Sequence, residues 1–461
     1  MSTFPRDVIA EILCRLPVNR VLRCRCVSKS WLALIDSPGF AKLHVTYSLK
    51  TNSNNLCLLL RKVDYYGYGK RCFYSIHFDS LNSRVITPKE MTNPLMSSEF
   101  NTKILGSCNG LLLISNTVDD TALWNPSIGK YKKLPVMGVG DNPVHVNFGF
   151  GYDVANDDYK VVRIVQFSGS EKGCFHSDVM VYSLKSSCWR GVDEQLPYVL
   201  RYVDQPGVYL NGSLHWIASA KIEIPASKLE LLIVAFDLGT EKWRLVPRPR
   251  YTDTGFIVNL VVLGGSLCVY KTYFVDSYSD WGDVDIVLDH VHIWEMKEYG
   301  VKDSWTGVAS LEQPDRQLGC TVVPLAYSNN RDEILVEQDN RRFLWTGIKE
   351  DSIKIVDTGV GTLRGFLHFN SYVYLGSLVQ LTSNDDLNKQ YNADKGGNKK
   401  ARKKSPSKSH NSPDRSHSQG NSSQPNTVEK DNSSTRSPPK DAEEIQTIED
   451  EHTSEVEKDV Q

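Results

Sequence analysis

Five aspartates crowd one stretch of the chain, Asp276, Asp280, Asp283, Asp285 and Asp289 in YFVDSYSDWGDVDIVLDH. A calcium loop needs oxygen ligands at alternating positions, a glycine at its sharp turn and a closing glutamate. Gly282 is misplaced for that turn and no glutamate closes the run, so the segment reads as a solvated connection between strands. His290 and His292 follow on one strand face and have the geometry of a ligand pair, but no third ligand is evident. The ten cysteines include no CxxC; only Cys24 and Cys26 stand two apart. No GxSxG, HExxH, phosphate loop or dinucleotide fingerprint occurs. Residue types and spacing therefore give no catalytic residue, no metal and no cofactor.

The elements that would position any chemistry fall into three parts. Residues 4 to 40 read as short helices. Pro5 suits a helix start; Val8, Ile9, Ile12, Leu13 and Leu16 share one face, and Pro17 ends the segment. A second run carries Val18, Val21, Leu22 and Val27 among Arg20, Arg23 and Arg25; Ser28 can cap a third run with Trp31, Leu34 and Ile35, stopped by Pro38. About forty residues cannot bury so many large apolar side chains among themselves, so this piece needs a partner surface, in its own chain or another protein.

From about Leu56 to Gly376 the pattern changes to short alternating strands divided by Gly, Asn, Asp and Pro turns. A unit recurs: a strand ending in an aromatic, a polar turn, and a strand opening on another aromatic. It is seen at Trp124–Tyr131, Tyr182–Trp189 and Phe236–Trp243, with a longer turn at Trp294–Trp305 and degenerate copies at Phe78 and Trp345. The period is near fifty, and Asn109-Gly110, Asn211-Gly212 and Gly264-Gly265 supply hairpin turns. A blade of that length cannot bury its own apolar face, so blades stack into a ring. The expected fold is mainly β: small N-terminal helices over residues 1–45, a kelch-type β-propeller of about six blades over 46–383, and a disordered charged tail over 384–461. A stack of sandwiches is the rival architecture.

Two resemblances sharpen this reading. Phe4-Pro5, Ile9, Ile12-Leu13, Leu16-Pro17, Leu22, Arg25, Val27-Ser28-Lys29, Trp31, Leu34-Ile35 and Phe40 resemble an F-box, with Phe4 where Leu is more usual and Ser28 where many members have Cys. The ring segments Phe148–Asp153, Asn156–Arg163, Ser213–Trp216 and Trp294–Tyr299 with Asp303–Trp305 are similar to the F-box-associated interaction domain of plant F-box proteins, in particular the constitutive expresser of pathogenesis-related genes subgroup. The resemblance implies a Skp-type adaptor, and through it a cullin, bound by Pro5, Ile9, Ile12, Leu13, Leu16, Pro17, Leu22, Arg25, Val27 and Trp31. It also implies a non-catalytic substrate receptor of a ubiquitin ligase, its subgroup marking immune receptors for degradation. Read from the residues themselves, Asp153, Asn156, Asp157 and Asp158 are turn formers bonding local backbone.

The long segment from Tyr273 to Leu288, with Tyr278 and Trp281, is the expected substrate-binding loop. In the tail, Lys399, Lys400, Arg402, Lys403 and Lys404 form a basic block of nuclear-import type, giving an expected location in cytoplasm, nucleus or both. Ser405-Pro406, Ser412-Pro413 and Ser437-Pro438 are candidate phosphorylation sites that would offset its charge. The net charge of −2 implies no particular partner. No run of 18 apolar residues and no apolar leader appear, so a soluble intracellular chain with reduced thiols is expected. Nothing resembles a sequence-specific nucleic-acid reader. A propeller enzyme with a helical cap and a non-degradative scaffold are the competing classes.

Overall fold

The computed structural model describes residues 4–51, 55–63, 72–83, 86–95, 102–169, 174–202, 205–220, 231–250, 256–278, 284–312, 321–349, 352–356 and 368–382. Four helices come first: α1 (Arg6–Leu13), α2 (Val18–Cys24), α3 (Lys29–Ile35) and α4 (Pro38–Thr51). Proline stands at three of the four starts, where a missing N–H costs nothing. Pro5 and Pro17 cap α1 and α2, while Pro38 is the first residue of α4. Ser28 caps α3, its hydroxyl accepting from the Trp31 N–H at 3.2 Å. The last helix, α4, runs to Thr51 and buries a face through Ser48. That helix serves two cores. Phe40 and Ala41 pack with the other helices, and Val45 packs with the sheets.

The strands form six antiparallel sheets. Blade I spans residues 103–133, blade II 143–191, blade III 199–246, blade IV 256–312 and blade V 322–356. Blade VI is assembled from both ends of the ring: His368–Leu375 pairs with Leu56–Val63, followed by Phe73–His77 and Lys89–Met91. The inner strand of each blade touches that of the next, Val208–Leu210 serving in blade III, and the contact of His368–Leu375 with Lys103–Cys108 closes the circle. Closure through a strand some 300 residues distant removes the free sheet edge.

The hairpin turns lie where the sequence put them. Asn109 and Gly110 have φ 51° and 83°, Asn211 and Gly212 49° and 78°, and Gly264 and Gly265 58° and 87°, joining the first two strands of blades I and IV and, in blade III, Val208–Leu210 to Ser213–Ser219. A Cβ on Gly110 would sit 2.3 Å from Ser377 Oγ, so this glycine also admits the segment that follows the closing strand.

The recurring aromatic pair is the hairpin between the third and fourth strands. Trp124 faces Tyr131, Tyr182 faces Trp189 and Phe236 faces Trp243 in register. Three copies depart from this, and in one of them Trp345 faces Lys354. A bulge after Ile293 places Trp305 opposite Met296. Phe78 belongs to a 3₁₀ turn (Phe78–Asn82) beyond its strand, and packs edge-on against Trp345 at 5.8 Å. The cores lie between blades: Leu113, Leu123, Phe150 and Val161 join blades I and II, and Val162, Ile164, Trp216 and Phe236 join II and III. Deep strands such as Leu111–Ser115 are therefore buried on both faces and lack simple alternation.

Candidate functional site

The helices have an inner and an outer side. On the inner side Leu13, Val18, Val21, Leu34, Ile35 and Phe40 are buried together with Leu378, which follows the closing strand. Polar contacts fix the seat. The Val18 N–H donates to Asn55 Oδ1 at 2.8 Å, and Asn55 Nδ2 donates to Ser48 Oγ at 2.8 Å. His44, fully buried, meets the Leu16 carbonyl at 2.9 Å; burial lowers its pKa, favouring the neutral ring. Lys42 pairs with Asp157 of blade II at 2.9 Å, and Asn125 Nδ2 donates to the Val379 carbonyl at 2.9 Å.

The outer side keeps apolar surface in water. Phe4, Val8 and Ile12 are 72%, 42% and 56% exposed; Val8 and Ile12, four residues apart, share a face of α1, and Phe4 lies just before the helix. Val27, at 62%, is exposed beyond the end of α2. Of the residues assigned to the adaptor from sequence, Pro5, Ile12, Arg25 and Val27 are exposed, and Ile9, Leu16, Pro17, Leu22 and Trp31 are half-buried against the helical core. Leu13, 1% exposed, is a correction: it faces inward and holds the bundle together. Arg25 pairs with Asp36 at 2.8 Å on the surface, a contact of little energetic weight. Val8, four residues before Ile12 on α1, and Phe4, just before the helix, are exposed as well and were missing from that set.

Comparison with known proteins matches this division. The F-box domain family matches residues 1–43, and the F-box associated beta propeller domain family matches residues 67–381. The chain belongs to the F-box proteins with an associated β-propeller. F-box protein CPR1 of Arabidopsis thaliana is 33% identical over 384 residues, covering 77% of this chain and 86% of that protein. An F-box/kelch-repeat protein of the same plant is 28% identical, covering 67% of this chain and 79% of its own length. Among solved structures, an oligogalacturonate lyase from Vibrio parahaemolyticus has a TM-score of 0.36 at 9% identity, covering 62% of this chain and 71% of that one. That likeness is too slight to bear on chemistry.

The propeller of this F-box protein uses its family segments structurally. Asp153 Oδ1 accepts from the Asn156 N–H at 3.1 Å, the local turn bonding expected of these residues, whereas Asp158 Oδ1 reaches across to accept from the distant Lys185 N–H at 3.0 Å. Lys160, nearly buried, reaches Asp153 at 2.7 Å, Glu241 at 2.9 Å and the Leu238 carbonyl at 2.6 Å, tying blade II to blade III. Burial raises the Asp153 carboxyl, but bonds from Lys160 and Asn156 outweigh it and hold the group below the usual carboxylate range. His215, in the Ser213–Trp216 segment, is lowered to about 4 by burial and meets the Val208 carbonyl at 3.0 Å and the Tyr299 hydroxyl at 2.5 Å.

The expected substrate loop takes another form. Ser266–Tyr278 and Val284–Met296 pair along their whole length, Tyr278 opposite Val284, so the segment is an extended hairpin. β-branched and aromatic residues at Tyr273, Phe274, Val275, Val284, Ile286 and Val287 account for the continued pairing. The position of Trp281 lies outside the described residues, as do the side chain of Tyr278 and the aspartates 280 and 283. His290 and His292 do share a face, ring centroids 4.5 Å apart, but His290 stacks on Tyr273 and bonds Asp289 at 2.6 Å. No group of three metal-ligating side chains occurs among the described residues. The basic block Lys399, Lys400, Arg402, Lys403 and Lys404 and the rest of the tail lie outside the described residues. No helix among the described residues is long and apolar enough to cross a membrane.

Proposed function

We propose that this F-box protein is the substrate-recognition subunit of a Skp-cullin-F-box ubiquitin ligase, with no bond chemistry of its own. One observation carries the reading: the helices are fixed to the ring by their inner side while Phe4, Val8 and Ile12 remain exposed on the outer one. A Skp-type adaptor covering that stripe would bury the surface that the chain leaves in water. The ring then holds a protein target at fixed distance from the conjugating enzyme, and transfer proceeds at an effective concentration on the order of millimolar. The conspicuous buried charges support this view, since Lys160, Asp153 and Glu241 are occupied in joining blades. The resemblance of the ring segments to the constitutive expresser of pathogenesis-related genes subgroup favours an immune receptor or other regulator as the target. Work in the cytoplasm, the nucleus or both suits such a subunit.

Proximity labelling with the full chain, with and without proteasome inhibitor, tests this. Proteins labelled by the intact chain should accumulate under inhibition, and less so when residues 1–45 are deleted. Labelled partners whose abundance ignores both the inhibitor and the deletion would point to a non-degradative scaffold.

A further inference from the structure

Against blade II, under the segment that leads in from blade I, lies a cleft of about 320 Å³ that the adaptor surface does not explain. Segment 137–140, which links the two blades, forms one wall; Val165, Asp178 and Met180 of blade II line the other. Arg163 lies between them. It is 5% exposed, and its two terminal nitrogens donate to the carbonyls of Met137 at 2.5 Å and Gly138 at 3.0 Å.

What this guanidinium lacks is the notable point. Its Nε–H is buried without an acceptor, and no carboxylate stands within ion-pair distance of it among the described residues. Five N–H donors are available in an arginine, and the two carbonyls engage only part of that fork. The Trp189 ring lies 5.9 Å from its Cζ, a face that backs the cation without neutralising it. Burial lowers the Arg163 pKa, and the charges of Asp119 and Asp178 partly oppose this. A desolvated arginine remains charged, so the arrangement is short of an oxyanion. Asp178, exposed at the same cleft, supplies an acceptor for an N–H beside that oxyanion. Apolar Met137, Val139 and Met180 suit the flanking side chains of a peptide.

We propose that this cleft on blade II binds an anionic side chain, a carboxylate or phosphate, presented by the protein that the ring recognises, with Arg163 as its anchor. The inference builds on the substrate-receptor reading and adds the chemistry of the target. The Asn156–Arg163 segment contains this arginine, but a lone arginine in YKVVRIVQF has no spacing to announce it.

The test uses the full chain labelled with nitrogen-15 and follows arginine Nε–H resonances while sodium acetate or inorganic phosphate is added at constant ionic strength. Arg163 is assigned by the resonance missing in Arg163→Lys. A saturable shift of that signal, tightened several-fold by Asp178→Asn, is expected; a stronger response to phosphate points to a phosphorylated target, and to acetate, an acidic one. Arg163→Lys should also abolish shifts at the neighbouring Trp189 indole. Shifts no larger than with chloride, or unaltered Trp189 responses in a folded Arg163→Lys protein, would overturn the proposal. Adaptor binding measured on the same samples is independent of that outcome, so its loss would count against the receptor reading instead.

Discussion

The backbone N–H of Val18 donates to Asn55 Oδ1 at 2.8 Å, joining the first residue of α2 to the residue that precedes the first strand of the ring. Both residues are buried, and Gly376 N–H donates to the Asn55 carbonyl at 2.6 Å. One asparagine thus holds a helix start, the Ser48 hydroxyl on α4 and the end of the closing strand. On the proposed ligase reading, a rigid seat matters because the distance between adaptor and target determines which lysines can be reached.

Asn55→Leu should therefore weaken the seat. It leaves the Val18 N–H and Ser48 Oγ without their partner, at about 1–3 kcal/mol for a buried unsatisfied group. Amide hydrogen exchange should show faster exchange at Val18 while the strands of blades II to IV keep their protection.

Lys160→Met should be more damaging. It strands Asp153 beside Glu241, and removing one partner from a buried ion cluster costs on the order of 3–5 kcal/mol. Urea unfolding should show that loss near neutral pH. Below the depressed Asp153 pKa the carboxyl is protonated, so the difference between wild type and variant should shrink in acid.

Glu337 provides a pH-dependent test of the ring. Burial raises its carboxyl to about 7, against donation from the Ser371 N–H at 2.9 Å and the Ser371 hydroxyl. A folded-state pKa above the unfolded value means full stabilisation below the unfolded pKa, near 4.5, and its loss as pH rises through 7. Glu337→Gln removes the charge and should raise Tm at pH 8, by an amount on the order of 2 kcal/mol in stability, with little change at pH 4.5. An equal shift at both values would contradict the assignment.

Much of the ring was readable because its signals are local. Asn109-Gly110 and Asn211-Gly212 fold as two-residue turns wherever strands flank them, and the aromatics at 124, 182 and 236 sit at the same place in successive blades. The closing strand was not readable, since pairing His368–Leu375 with Leu56–Val63 leaves no trace in either segment alone. The extended hairpin was misread as a loop because acidic residues near its tip masked the alternation on either side. For the helices, apolar spacing could not separate inward from outward: Leu13 and Ile12 are neighbours in sequence, one buried, one exposed. Telling them apart required knowing where the ring lies.

The most direct measurement is the affinity of a purified Skp-type adaptor for the full chain carrying Phe4→Ser, Val8→Ser and Ile12→Ser together. These side chains are exposed, so Tm should move little, while adaptor binding should fall at least a hundredfold. Unchanged binding by a folded triple variant would contradict the account.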